Sequence, residues 1–93
     1  VDTSGDVVGE GDAEAQTRQV MANIRAVIDA AGGKMEDVAK ITCFITDIAS
    51  YPAYSKVRSE TWPSSPPASS TVVVAGLVRP EFMVEVEAIV RLA

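Results

Sequence analysis

Apolar residues recur at helical spacing between Ala13 and Ala31, where Val20, Ile24, Val27, Ile28 and Ala31 alternate with Arg18, Asn23, Arg25 and Asp29. This spacing predicts an amphipathic helix. Asp12 is its candidate N-cap, Glu14 suits the positive helix start, and Gly32-Gly33 provides the left-handed residue that commonly ends a helix. From Val38 to Thr46 the period changes to two. Ile41, Cys43 and Ile45 fall on one face of a predicted strand, with Thr42, Phe44 and Thr46 on the other. Asp47 ends that strand, and Pro52 fits the first turn of a second helix reaching about Thr61, with Tyr54, Val57 and Arg58 near one another on its surface.

The run Pro63-Ser64-Ser65-Pro66-Pro67 reads as a stiff loop, since each proline removes a donor and fixes φ. A β-branched run over Ser70–Leu77 and an alternating one over Phe82–Leu92 predict two more strands, joined through Val78–Glu81 as an antiparallel hairpin. In the last strand Val84, Val86, Ala88 and Val90 share one face, and Glu85, Glu87, Ile89 and Arg91 the other. The order helix, strand, helix, strand, strand implies an α+β fold with both helices on one face of the sheet. Three strands leave two apolar edges, so both further strands and an oligomer are expected.

At 93 residues the chain is one domain, since smaller pieces would bury too little core. A hydrophobic fraction of 47% and a charged fraction of 23% are those of a globular protein. No apolar run approaches the roughly 20 residues that cross a bilayer, so no membrane partner is expected. The chain opens on Val1 in a polar turn over Asp2–Asp6, and an earlier segment is expected ahead of it.

The net charge of −5, with eight scattered basic residues, argues against a nucleic-acid partner held through phosphates. With no histidine, a His-based triad and a His-containing zinc site are excluded. No metal or cofactor is expected. The lone Cys43 cannot form an intrachain disulfide, which fits a reducing, cytoplasmic setting. Within an apolar strand it reads as a small hydrophobe.

Glu85 and Glu87, two apart on a strand, point the same way. Close carboxylates push one pKa upward, and a carboxyl so raised serves as a general acid or positions a water. A solvated outer face is the plainer reading of the same pair. Ser69, Ser70 and Thr71 follow the rigid loop as neutral donors for a carboxylate or carbonyl, although no base stands near them in sequence to make a nucleophile. Ordinary strand-start chemistry also accounts for them. Tyr51 and Trp62 flank the second helix, as anchors or as pocket walls. Arg79 is a candidate anion partner in the turn between the last strands.

Gly11-Asp12-Ala13-Glu14-Ala15-Gln16-Thr17-Arg18-Gln19, Asn23-Ile24-Arg25-Ala26-Val27, Ala30-Ala31-Gly32-Gly33 and Asp37-Val38 together resemble the RidA family, also called YjgF/YER057c/UK114. Phe44-Ile45-Thr46-Asp47, Pro67-Ala68-Ser69-Ser70-Thr71-Val72 and Val84-Glu85-Val86-Glu87-Ala88-Ile89 extend the resemblance over nearly the whole chain. It implies a chorismate-mutase-like fold, a homotrimer with small-molecule pockets in the clefts between subunits, and an opening β-hairpin ahead of Val1. It also implies hydrolysis of reactive enamine or imine acids to keto acids and ammonia, with a glutamate near the attacking water and an arginine gripping the substrate carboxylate. The glutamate corresponds to Glu85. Where the family reads Pro-Ala-Arg, this chain reads Pro67-Ala68-Ser69, and Ser55 stands in for a pocket asparagine.

Replacing guanidinium by hydroxyl removes a fixed charge and a two-pronged donor, so a different substrate or another cation, with Arg79 as candidate, is expected. Three functions follow: a deaminase using Glu85, a non-catalytic trimer that senses or carries a metabolite, and the RNA cleavage of the family's L-PSP endoribonuclease label. The acidic charge fits the last one worst.

Overall fold

In the computed structural model, which describes residues 9–92, two helices pack on one face of a mixed three-stranded sheet. The polar turn expected over Asp2–Asp6 lies outside the described residues. The first helix, α1, spans Ala13–Ala30, and the Asp12 carboxylate caps it by accepting from the Ala15 N–H at 3.0 Å. At the other end Gly32 takes φ +81°, with Gly32 N donating to Asp29 O and Gly33 N donating to Ile28 O. That is the paired C-terminal closure favoured by a left-handed glycine.

The buried stripe of α1 differs from the expected one. Gln16, Thr17, Met21 and Ile28 are buried, whereas Val27 is 71% exposed and Ala31 is exposed. The reason is polar. Thr17 Oγ1 donates to the Ala13 carbonyl at 2.7 Å, and Gln16 makes three bonds to backbone, so both enter the interior with their polar atoms satisfied.

Strand β1, Val38–Ile45, is the middle of the sheet, and Ile41, Cys43 and Ile45 have no exposed surface. Helix α2, Tyr51–Thr61, follows a short 3-10 turn in which the Asp47 carboxylate accepts from Ala49 N at 2.9 Å. Its buried Tyr54 and Val57 join Met21, Ile28, Met35, Trp62 and Val84 around the three strand residues. Trp62 Nε1 donates to the Met35 carbonyl at 2.9 Å, so the indole enters the core with its N–H paired.

Strand β2 is Ala68–Val73 and strand β3 is Val84–Val90. Both are shorter than the apolar runs that predicted them, and they do not form the expected hairpin. β1 lies between them, parallel to β2 and antiparallel to β3. Residues 74–83 form an irregular link rather than the tight turn a hairpin needs. Helix α2 is instead the crossover that a parallel β1–β2 pair requires. No helix of the described residues is long and apolar enough to cross a membrane.

Candidate functional site

Register decides which candidate residues can meet. Ser69 pairs with Ile41 and Thr71 with Cys43, so both hydroxyls point toward the helices. Ser70 pairs with Thr42, which also faces Glu87 across the sheet, and Phe44 lies between Val72 and Glu85. Ser70, Glu85 and Glu87 therefore share the face turned away from the helices. The two halves of the expected site stand on opposite sides of one sheet.

On the helix side, α2 and the start of β2 enclose a cleft of about 400 Å³. Arg58, Trp62 and Ser69 wall it together with Pro63, Pro66 and Pro67, the stiff loop that delivers the chain into β2. Arg58 Nη1 donates to Ser69 Oγ at 3.1 Å, and Nη2 donates to Ser55 Oγ over a longer 3.5 Å. The guanidinium also lies 5.5 Å from the centroid of the Tyr54 ring, a cation–π distance. Three side chains thus fix one cation, and among the described residues no carboxylate pairs with it.

Tyr54 is 1% exposed, and its hydroxyl has no hydrogen-bond partner among the described residues. Burial raises its pKa, which Ser69 and Arg58 beside it partly offset.

Arg79 stands apart from this cluster. It pairs with Glu81 at 3.3 Å and covers the Phe82 ring at 5.5 Å, in the link between β2 and β3. On the open face Glu85 and Glu87 are both exposed. Among the described residues no three His, Cys, Asp or Glu side chains gather as a metal site.

Arg58 is the site residue that sequence reasoning passed over. Its helical neighbours were visible, since Tyr54 and Ser55 lie four and three residues before it on the same surface. Its meeting with Ser69 was not, because that contact depends on β2 running parallel to β1 behind the crossover helix.

The Endoribonuclease L-PSP family model matches residues 1–92. The 3-aminoacrylate deaminase RutC of Acinetobacter baylyi is 40% identical over 89 residues, which are 96% of this chain and 70% of that protein. Among solved structures, the Rid-family protein YyfA of Yersinia pestis is 37% identical with a TM-score of 0.89, covering 96% of this chain and 70% of YyfA. RidA of the Antarctic bacterium Psychrobacter is 34% identical with a TM-score of 0.81, covering 85% of this chain and 63% of that one, less than two thirds of its length. A family match over nearly every residue, a curated relative at this identity and the same α+β fold in solved members agree: the chain belongs to the Endoribonuclease L-PSP family, the RidA family of YjgF/YER057c/UK114 proteins.

Proposed function

We propose that the protein is a cytoplasmic RidA-family hydrolase that releases ammonia from a small enamine or imine acid, in clefts between the subunits of a homotrimer. The observation that carries this reading is the 40% identity to a 3-aminoacrylate deaminase. An aminoacrylate combines an enamine nitrogen with a carboxylate. Protonation of the enamine carbon gives the iminium ion, and water then adds to the C=N carbon as the π pair moves onto nitrogen, leaving a neutral amine. The C–N bond breaks, a carbonyl forms and ammonia leaves, with no net oxidation. Glu85 positions the water, takes a proton from it and returns one to the departing nitrogen.

The opposite orientation of the two candidate groups supports a site built between chains. One copy contributes the Ser69 edge and the other its open face with Glu85. The free, buried Cys43 fits a reducing compartment.

The test is ammonia release from a panel of imino acids generated in situ by an amino-acid oxidase. Glu85→Gln is expected to lower the rate by about 10²–10⁴, the usual contribution of a positioned acid or base. Purified protein inactive across the panel would overturn the reading. A second reading, a metabolite-binding trimer without turnover, draws on the hydroxyl of Ser69 where the family resemblance implies an arginine. Ligand binding that survives Glu85→Gln, with no hydrolysis by the parent protein, would favour it.

A further inference from the structure

An arginine that lines an open cleft with no carboxylate partner among the described residues has donors to offer. Of its five N–H groups, Arg58 commits one to Ser69 and one, at 3.5 Å, to Ser55. Three remain. The plane of the guanidinium is held by Tyr54 beneath and Ser69 alongside. The unpartnered Tyr54 hydroxyl, buried against the same pair, adds a polar group to the base of the cluster. Apolar walls from Trp62 and the prolines complete a small pocket with one fixed charge.

We infer that Arg58 is the substrate-binding residue that grips a carboxylate in this cleft, supplying from α2 the guanidinium that β2 lacks at Ser69. Ser69 acts as its positioning residue. It accepts from Nη1 and so turns the free edge of the guanidinium outward. A carboxylate matches that edge by two parallel charge-assisted bonds, where a hydroxyl or amide oxygen would take only one. Ser55, whose 3.5 Å bond is the longer of the two hydrogen bonds, is the partner most readily given up when the ligand enters. Arg79 is instead paired with Glu81 in the link between β2 and β3. The substrate class rests on the proposed deaminase reading, while the carboxylate preference rests on Arg58 itself.

The experiment titrates the full chain with pyruvate, with its uncharged amide pyruvamide and with inorganic phosphate, following the Arg58 Nε–H signal by NMR. Pyruvate is expected to shift that signal saturably and to bind at least about tenfold more tightly than pyruvamide, the scale of one charge-assisted pair. In Arg58→Gln, pyruvate affinity falls by about tenfold or more while pyruvamide stays within about twofold, with thermal melting confirming the fold. Equal losses for both ligands would make Arg58 a structural residue and overturn the assignment. So would undiminished pyruvate binding, or phosphate that displaces pyruvate at equal concentration. If the variant unfolds, the pyruvate-to-pyruvamide ratio and the Nε–H shift of the parent protein decide alone. Arg58-dependent pyruvate binding by a protein that hydrolyses no imino acid would sink the deaminase reading and leave this inference standing. Hydrolysis with pyruvate binding indifferent to Arg58 would do the reverse.

Discussion

Cys43 has no exposed surface, and burial pushes its thiol from an ordinary 9.0 up to about 12. The folded state therefore holds this proton more tightly than the unfolded chain. The resulting stability is complete below pH 9 and is lost as pH climbs toward 12. The slope is about 1.4 kcal/mol per pH unit, and Tyr54, raised in the same direction, adds to it further up the range. Urea melts at pH 8 and at pH 10.5 are expected to show this fall, and Cys43→Ala to flatten its first part. A parent profile without slope would contradict the account. Gln16 carries a different kind of buried chemistry. Its amide donates to the Gly9 and Glu81 carbonyls at 3.1 and 2.9 Å and accepts from Met83 N at 2.8 Å, joining α1 to the entry of β3. Gln16→Leu keeps the bulk but strands those backbone groups, so a loss of about 2–4 kcal/mol in urea unfolding is expected.

Helix ends give the element scale its simplest test. Gly32 sits at φ +81° with open space where a Cβ would stand, so Gly32→Ala meets no atom and is penalised only by backbone conformation. A loss of about 1–2 kcal/mol, with the near-UV spectrum unchanged, is expected from thermal unfolding. That closure was legible from Gly32-Gly33 alone, as were the Asp12 cap and the alternation of β1, because local chemistry specifies them. The inward stripe of α1 was less so. Apolar periodicity favoured Val27, but the interior accepted Gln16 and Thr17 once backbone partners satisfied them. Strand partnership was not local at all: β2 and β3 are consecutive apolar runs, and their separation by β1 follows from the crossover through α2. The site inherits that limit. Ser55, Ser69 and Glu85 could be singled out from residue type and family likeness, yet Arg58 becomes a candidate only when α2 and β2 are brought side by side.

At the scale of the whole molecule, the sheet separates the two chemical halves of the proposed site. Arg58 and Ser69 lie on the helix side, whereas Glu85 stands on the open face with the exposed apolar side chains of Val72 and Ile89. A chain cannot fold its own sheet over to join them, so on the proposed reading a complete site takes the edge of one copy and the face of another. In a closed cyclic assembly every interface repeats that pairing. This makes a prediction that single variants cannot test. Arg58→Gln and Glu85→Gln are each expected to abolish most turnover as homo-oligomers. When the two are unfolded, mixed in equal amounts and refolded together, some interfaces will combine the intact Arg58 of one chain with the intact Glu85 of its neighbour. Random pairing gives about one quarter of interfaces in that arrangement, so about one quarter of parental ammonia release is expected to return. Separately refolded variants combined without subunit exchange remain inactive. If both residues served one site within one chain, every mixed site would still lack one of them, and no activity would return at any mixing ratio.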